Sequence, residues 1–263
     1  MTPSPLVRNY TESGVLIAGG TSGVGLATAC RFADAGVSRI AILGRNEERG
    51  KAAESAVREK FSGVEVTFIA ADAADVDQVE SAVATAHSAL GSIDVLVNST
   101  TTAYKPELLH RTPTADIAGI LMGQALPPML TTRAVLPLMQ AQGGGSIINI
   151  ASDAAKVPTP GESALGAAMA AIVMFTRVTA VEAKRNGVRV NAVTPSLIAG
   201  TATADNVLSS GFSKSLFEKA SALAHLGVAE PDDLASLIVF LGGPASSRLT
   251  GQTISVNGGI SAF

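Results

Sequence analysis

A glycine-rich turn is the first place in this sequence where residue type and spacing indicate a chemistry. Gly19, Gly23 and Gly25 follow the apolar run VLIA in the spacing G-x-x-x-G-x-G and precede an amphipathic stretch. Between a strand and a helix, such glycines make the turn, let a phosphate approach the backbone and let the helix pack on the strand. A pyrophosphate then meets free N–H groups at the positive end of the helix. We therefore predict a dinucleotide site that includes Gly19, Gly20, Thr21, Ser22, Gly23, Val24 and Gly25.

The segment after the next apolar run indicates which dinucleotide is preferred. It contains AILGRNEERG, in which Arg45 stands where an acidic residue would hold a ribose 2′-hydroxyl. An arginine suits a 2′-phosphate instead, because its guanidinium can donate two hydrogen bonds to phosphate oxygens. We therefore expect NADP(H) rather than NAD(H), with the alternative that Arg45 is only a solvated residue before a helix.

Apolar runs alternate with amphipathic stretches along the whole chain. The runs are short, β-branched and mostly not alternating in polarity, which is typical of strands buried on both faces of a parallel sheet. They lie at residues 15–18, 40–43, 64–70, 93–97, 146–150, 188–193 and 253–256. Helices are expected at residues 24–35, 47–60, 76–90, 164–184 and 232–241. This order predicts an α/β fold with a doubly wound parallel sheet of about seven strands, a Rossmann fold, in a single domain covering residues 1–263.

Two segments depart from this regular pattern. Pro127 and Pro128 must start or kink a helix, because a proline cannot donate an interior helical hydrogen bond. Residues 197–217 are weakly patterned and follow the end of a strand. Open α/β sheets bind ligands at that edge, so we expect a mobile substrate lid around residues 197–217.

The composition argues against several other classes of protein. The chain has 263 residues and a net charge of -3, which gives no basic field for nucleic acid and no attraction to an anionic membrane. Its single cysteine, Cys30, excludes an internal disulfide and a cysteine metal cluster, and we predict no metal site. No signal peptide is visible, and no apolar window is expected to be long enough to span a bilayer. We therefore expect a cytoplasmic protein without nucleic-acid or membrane partners.

With these residues in hand, the sequence resembles the short-chain dehydrogenase/reductase family over nearly its full length. GGTSGVG resembles the family's glycine motif, AADAADVDQV the segment whose Asp72 contacts adenine, and VLVNSTT the stretch after the fourth strand, with Asn98 kept. SIINIAS resembles the strand that carries the catalytic serine, here Ser152. VRVNAVTPS resembles the turn before the lid, with Ser196 in place of a glycine, and LTGQTISVNGG the C-terminal strand of the subunit interface. The resemblance adds to the predicted cofactor site Asp72, Ala73, Asn98, Pro195 and Ile198.

The family's chemistry uses an asparagine, a serine, a tyrosine and a lysine. The tyrosine exchanges a proton with the substrate oxygen, and the lysine lowers the tyrosine pKa and holds the cofactor ribose. The resemblance places this Y-x-x-x-K pair at Leu165 and Met169, and the asparagine at Gln124, so that only Ser152 is kept. It therefore implies an atypical member of the family, without its acid and its cation and with a weaker grip on the cofactor.

Two hypotheses about function remain open. The first is an enzyme that acts on a small, mostly apolar substrate by altered chemistry: hydride transfer to an activated C=C, C=N or C=O bond, or a non-redox step in the same cleft. Ser152 could orient a carbonyl, and Tyr104, just past the fourth strand, could supply a proton unless it is only an exposed loop residue. Asp153 could be a base or merely a turn residue, and Lys156 and His110 are expected in solvent.

The second hypothesis is a catalytically silent subunit, or a cofactor-sensing partner, of an active homologue. The helix predicted at residues 164–184 opens with small residues, SALGAAMAA, which permit a second helix to approach closely. The resemblance implies that this helix and the one ending AVLPLM form a subunit interface. We therefore expect an oligomer, either a homo-tetramer or a hetero-oligomer with an active relative.

Overall fold

A seven-stranded parallel sheet forms the middle layer of the protein. The computed structural model describes residues 6–209 and 211–262, so residues 1–5, 210 and 263 of the predicted domain lie outside the described part. The strands are β1 Gly14–Ala18, β2 Arg39–Gly44, β3 Glu65–Ala70, β4 Val95–Asn98, β5 Gly145–Ile150, β6 Val188–Pro195 and β7 Thr253–Val256. They lie side by side in the order β3-β2-β1-β4-β5-β6-β7, and every neighbouring pair is parallel. The predicted doubly wound Rossmann fold is confirmed.

Helices cover both faces of this sheet. In the described residues they are α1 Gly23–Asp34, α2 Glu47–Lys60, α3 Val76–Leu90, α4 Thr114–Gln142, α5 Ser163–Ala183, α6 Ala202–Leu208, α7 Gly211–Leu223 and α8 Pro231–Gly242. Val15 and Ile17 of β1 pack with α1, α2 and α8, whereas Leu16 and Ala18 pack with α3, α4 and α5 on the opposite face. Full burial of a valine, leucine or isoleucine side chain contributes about 1.5–3 kcal/mol, which explains why the apolar strands occupy the middle layer.

Short polar signals set the ends of the helices that the sequence predicts best. The helices expected at residues 47–60 and 76–90 are confirmed as α2 and α3, with those bounds. Asn46 caps α2 by accepting from the N–H of Arg49, and Asp75 caps α3 by accepting from the N–H of Gln78. Gly91, with a φ of +73°, ends α3 in the left-handed conformation.

Pro127 and Pro128, which are expected to start or kink a helix, do not start helix α4. Pro127 and Pro128 are buried inside a helix that already begins at Thr114. The hydroxyl of Thr131, one turn later, donates to the carbonyl oxygen of Pro127 at 2.9 Å. Tertiary packing of this face therefore outweighs the missing helical hydrogen bonds of the prolines.

Helix α5 corrects another expectation. Together with the short turn after it, residues 163–186 form a segment that is long and apolar enough to cross a membrane by length and composition. The expectation that no window reaches this length is therefore wrong. Half of the window is buried within the fold, where α5 packs against α4 and β6, as a core helix does.

The predicted lid consists of two helices with an apolar cluster of their own. Residues 197–217 contain α6 and most of α7, apart from residue 210, which lies outside the described residues. Leu197, Ala204, Val207 and Phe217 pack together there, separately from the two cores of the sheet. Movement of this segment as a lid stays a prediction.

Candidate functional site

From β1, the strands β2 and β3 extend the sheet in one direction and the strands β4 to β7 extend it in the other. This switch between β1 and β4 opens a crevice at the carboxyl ends of the two strands. The glycine turn lies at this point and packs the first helix directly on the first strand. A Cβ atom on Gly25 would lie 2.2 Å from the carbonyl oxygen of Gly19, so no larger residue fits there. Gly23 has a φ of +51°, and a Cβ atom there would meet only the methyl group of Thr201, at 3.7 Å. The backbone therefore faces open space where a phosphate would approach.

The first N–H groups of α1 have no side-chain cap. Ser22 is the N-cap residue, but its side chain makes no capping hydrogen bond. Uncapped N–H groups in the first turn of a helix point outward and carry the positive end of the helix dipole. Val24 is buried beneath the turn, and Gly44 brings β2 close to Thr21, because a Cβ atom on Gly44 would lie 2.6 Å from the Thr21 methyl group. This donor set and its shape fit a dinucleotide pyrophosphate.

Arg45 and Asp72 stand together just beyond β2 and β3. Arg45 Nη1 lies 3.9 Å from Asp72 Oδ2, and the two side chains are 62% and 41% exposed. Such an exposed ion pair contributes at most about 1 kcal/mol, so the guanidinium can turn to a phosphate at little cost. Asp72 Oδ1 also accepts from the N–H of Ala74 at 3.0 Å, which holds the carboxylate at the edge of the crevice, while Ala73 is buried.

Asn98 lies inside the fold rather than on the surface of the crevice. It is 2% exposed, its Nδ2 donates to Asn149 Oδ1 at 2.8 Å, and its Oδ1 accepts from the hydroxyl of Thr131 at 2.6 Å. Asn149 donates in turn to the hydroxyl of Thr176 on α5, at 2.8 Å. The Asn98 side chain is therefore engaged within the fold, and contact between Asn98 and a cofactor stays a prediction. It ties β4 to β5 and α4, since its hydrogen-bonding groups are used there.

The chain after β6 forms the other wall of the crevice. Pro195 ends β6 and is buried, and Ile198 pairs with Ala229 in a parallel bridge. The hydroxyl of Thr201 donates to the carbonyl oxygen of Ile198 at 2.9 Å and caps α6 by accepting from the N–H of Ala204. The start of the predicted lid is therefore anchored beside the glycine turn.

Ser152 follows β5 and begins a short 3₁₀ turn, Asp153–Ala155. Its side-chain oxygen accepts from the N–H of Ala154 at 3.2 Å. Within the described residues its hydroxyl hydrogen has no acceptor, so it is free to donate to a ligand oxygen or nitrogen. The predicted ability of Ser152 to orient a substrate is compatible with this geometry.

Asp153 is not a free base, because protein groups saturate its carboxylate. Ser255 donates to Oδ1 and Ser261 to Oδ2, each at 2.9 Å, and Asn257 also donates to Oδ2. Lys156 Nζ lies 3.3 Å from Oδ1, with its side chain only 19% exposed, so the expectation that Lys156 is solvated is wrong. Burial raises the pKa of Asp153, but its hydrogen bonds outweigh burial and hold that pKa below its usual value. The cluster anchors the carboxyl-terminal segment to the turn after Ser152.

The face of α5 beside this turn is apolar. Leu165 and Met169 lie one turn apart and pack with Ala151, which precedes Ser152, and with Ile172 of the same helix. No tyrosine or lysine occurs within α5, and neither a leucine nor a methionine side chain can donate a proton.

Gln124 of α4 holds the loop after β4 in place. It is 3% exposed, its Nε2 donates to the carbonyl oxygen of Thr102 at 3.2 Å, and its Oε1 accepts from the hydroxyl of Thr101 at 3.5 Å. Both ends of the amide therefore contact the protein.

Tyr104 joins this loop to the turn before α5 and to the predicted lid. Its hydroxyl donates to the carbonyl oxygen of Gly161, which also accepts from the N–H of Glu107 at 3.0 Å. The Tyr104 carbonyl accepts from Asn206 of α6 at 3.1 Å. Tyr104 is thus half-buried and held on two sides, and is not the exposed loop residue of the alternative interpretation. His110, in contrast, is exposed as expected.

Glu162 is a titratable residue of this region that the sequence pattern does not predict. It directly precedes α5 and is 8% exposed. Burial raises the pKa of Glu162 to about 7. Burial and then the nearby charge of Glu162 raise the pKa of Tyr104 to about 12. A glutamate before a helix resembles an ordinary cap in the sequence, so only the fold reveals that its carboxyl group is buried.

Comparison with known proteins agrees with this architecture. The family model described as "Enoyl-(Acyl carrier protein) reductase" matches residues 18–261. The chain belongs to the short-chain dehydrogenase/reductase family. A 3-oxoacyl-[acyl-carrier-protein] reductase from Synechocystis sp. is 32% identical over 255 residues, which cover 96% of this chain and 98% of the relative.

Two solved structures of similar proteins contain nicotinamide cofactors. A short chain oxidoreductase from Pseudomonas aeruginosa PAO1, solved with NADPH bound and described as containing an atypical catalytic center, is 28% identical. Its TM-score is 0.87, with 99% of this chain and 100% of that chain covered. NAD+-bound xylitol dehydrogenase is 26% identical with a TM-score of 0.86, covering 96% of this chain and 100% of that chain. Structural neighbours within the family therefore bind NADPH or NAD+, and its fold is shared along the whole chain.

Proposed function

We propose that this protein is an NADP(H)-dependent enzyme of the short-chain dehydrogenase/reductase family that works without the family's tyrosine–lysine pair. One combination of features carries the proposal. The phosphate cradle at Gly23 and Gly25 is open and complete, whereas Leu165 and Met169 stand where the resemblance puts the proton donor and the ribose-binding cation.

The preference for NADP(H) rests on Arg45. The two solved neighbours hold different cofactors, so the preference must follow from residues of this chain. Arg45 is exposed at the end of β2, and its ion pair with Asp72 is long enough to be exchanged for contacts to a 2′-phosphate. The absence of a lysine at position 169 weakens the expected grip on the ribose, so the cofactor is bound weakly.

A bound nicotinamide would supply a hydride, and the residues of this chain would enclose and orient the acceptor. Ser152 has a free hydroxyl hydrogen to donate to the substrate, and Leu165 and Met169 form an apolar wall that excludes water. A positioned general acid contributes about 10²- to 10⁴-fold in rate, so reduction of ordinary ketones is disfavoured here. Activated C=C, C=N or C=O bonds of a small, mostly apolar molecule suit this cleft better, and a non-redox step in the same cleft remains the other form of the proposal.

The Pseudomonas aeruginosa oxidoreductase supports the proposal by precedent. It is a protein of the same fold that holds NADPH and is described as having an atypical catalytic center. A cofactor site and a changed catalytic centre therefore occur together in a close structural neighbour.

A calorimetric titration of the wild-type protein with NADPH and NADH tests the cofactor part of the proposal. We expect NADPH to bind at least about tenfold more tightly, since a 2′-phosphate–arginine contact contributes about 1.5–3 kcal/mol. Arg45→Ala should abolish this preference, whereas the control Arg49→Ala, an exposed arginine in the first turn of α2, should keep it. Equal affinities for the two cofactors, or an Arg45→Ala variant with unchanged NADPH affinity, would contradict the assignment.

A second candidate function is a catalytically silent subunit or cofactor-sensing partner of an active relative. The outer face of α5 favours an assembly, because Met174, Val178 and Val181 are 56%, 49% and 61% exposed along one side of the helix. A continuous apolar face of this kind is typical of an interface.

We propose that the protein forms a homo-tetramer, with a hetero-oligomer as the alternative. We also propose a cytoplasmic location, since a chain whose only cysteine is Cys30 needs no oxidising compartment.

A further inference from the structure

The carboxyl group of Glu162 is buried, and within the described part of the chain no cation is paired with it. Glu162 is 8% exposed, and no ion pair among the described residues includes it. Lys156, which is close in sequence, is engaged by Asp153. The hydroxyl of Thr159 is the side-chain group that acts on the Glu162 carboxyl group, and the charge of Glu162 in turn raises the pKa of Tyr104. Ionisation of this carboxyl group is therefore uncompensated within the described fold.

A capping role does not explain the position. Glu162 is the N-cap residue of α5, yet its side chain makes no capping hydrogen bond. A buried acid that no cation of the described fold pairs with is a candidate for binding a ligand cation, because pairing removes most of the cost of burying the charge.

A groove beside Glu162 can receive such a ligand. Its walls are built from proline, alanine, glycine and two small hydroxyl residues, in addition to the glutamate: Ala154, Pro158, Thr159, Pro160, Ser163, Gly166 and Ala167. This lining is mostly apolar, with one buried carboxyl group, which suits a small alkyl or ring compound that carries one positive charge. The groove adjoins the proposed cleft, because Ala154 also donates its N–H to Ser152 and Glu162 lies less than one helical turn before Leu165.

We propose that Glu162 is the counter-ion of a cationic substrate, and that this substrate is the iminium form of a small cyclic imine. The inference rests on the proposed function and names its substrate class. An iminium ion suits a cleft without a tyrosine, since it already carries the proton that a ketone would need from the enzyme.

Reduction of the iminium ion by NADPH needs no proton from a protein side chain. The hydride of NADPH forms a C–H bond at the iminium carbon, and the electron pair of the C=N π bond moves to nitrogen. NADPH is oxidised to NADP+, and the iminium is reduced to an amine, which takes up a proton from water after release. Glu162 stabilises the charge of the reactant and takes part in no bond change.

Titration of the NADP+-loaded protein at pH 8 with a panel of protonated cyclic amines, such as 2-methylpyrrolidine and 2-methylpiperidine, tests the inference. The uncharged ring alcohols cyclopentanol and cyclohexanol serve as neutral counterparts. We expect at least one amine to bind about tenfold or more tightly than its neutral counterpart, and Glu162→Gln to remove that difference. The control Glu182→Gln, an exposed carboxylate on the same helix, should leave it unchanged.

The outcomes separate this inference from the proposed function. Wild-type protein that binds NADP+ but binds no amine better than its neutral counterpart overturns the inference alone, as does a folded Glu162→Gln variant that keeps the preference. The comparison of amine with alcohol uses wild-type protein, so it decides the matter even if the variant does not fold. Wild-type protein that binds neither NADPH nor NADP+ contradicts the proposed function itself.

Discussion

Replacing Glu162 by glutamine should make the protein more stable at alkaline pH. The folded protein raises the pKa of this carboxyl group from 4.5 to about 7 by burial, so the folded state binds its proton more tightly than the unfolded chain does. Between these two values the folded state keeps the proton while the unfolded state has lost it. The contribution of Glu162 to stability therefore falls as the pH rises above 4.5, and it reaches its lowest value above pH 7.

The size of the effect follows from that difference in pKa. A difference of about 2.5 pKa units corresponds to about 3 kcal/mol when it is fully developed, at about 1.4 kcal/mol for each unit. Between pH 5 and pH 8, linkage gives a change of about 2.5 kcal/mol. Because Glu162 is 8% exposed, solvent screening reduces this value little. Glutamine keeps the shape of the side chain but carries no charge at any pH, so Glu162→Gln should lack the effect.

Urea denaturation at pH 5 and pH 8 measures the unfolding free energy of each protein. The transition is followed by circular dichroism, since the chain has no tryptophan for fluorescence. The difference in unfolding free energy between Glu162→Gln and wild type should rise by about 2.5 kcal/mol from pH 5 to pH 8. Other carboxyl groups titrate in both proteins and cancel. Glu182→Gln, the exposed control, should differ from wild type by less than about 0.5 kcal/mol at either pH. A difference between Glu162→Gln and wild type that stays constant over this range would refute the burial argument.

Two further predictions concern stability and assembly. Asp153→Asn should destabilise the protein by about 1–3 kcal/mol at pH 7, because it replaces one buried acceptor oxygen by an NH2 donor and removes the negative charge beside Lys156. The deficit should shrink as the pH falls through the lowered pKa of Asp153, and a denaturation series that shows no deficit at pH 7 would refute this. Val181→Lys should dissociate the proposed oligomer, because it places a charge on the exposed apolar face of α5. Light scattering at micromolar concentration should show an oligomer for wild type and a smaller species for the variant. A monomeric wild type would refute the interface.

The sequence predicts the sheet and the glycine turn well, because local signals determine them. β-branched runs identify the strands, Asn46 and Asp75 mark helix starts, and the glycine spacing specifies a close approach that Gly25 makes in the structure. These features depend on residues near one another in the chain. Helix α4 is less predictable, since it begins at Thr114 and continues through the buried Pro127, although a proline cannot donate an interior helical hydrogen bond.

The interior of the candidate site depends on contacts between distant segments and is poorly predicted. Asn98 follows the family pattern in sequence, yet its amide is used by Asn149 and Thr131. Lys156 looks like a solvated lysine, yet it pairs with Asp153 beneath the carboxyl-terminal segment. Glu162 becomes a candidate only because the fold buries it. The pair of Lys156 and Asp153 is local, but its burial, like the contacts of Asn98, depends on segments distant in the chain, on which periodicity and spacing carry no information.

Restoring the missing pair tests the central claim most directly. Leu165→Tyr together with Met169→Lys places a phenol and an ammonium one turn apart on the α5 face that packs beside Ser152. Initial rates of NADPH oxidation with a panel of simple ketones should be undetectable for wild type and measurable for the double variant, because a positioned acid contributes about 10²- to 10⁴-fold. Wild-type protein that already reduces those ketones as fast as the double variant would contradict the claim that this cleft works without the tyrosine–lysine pair.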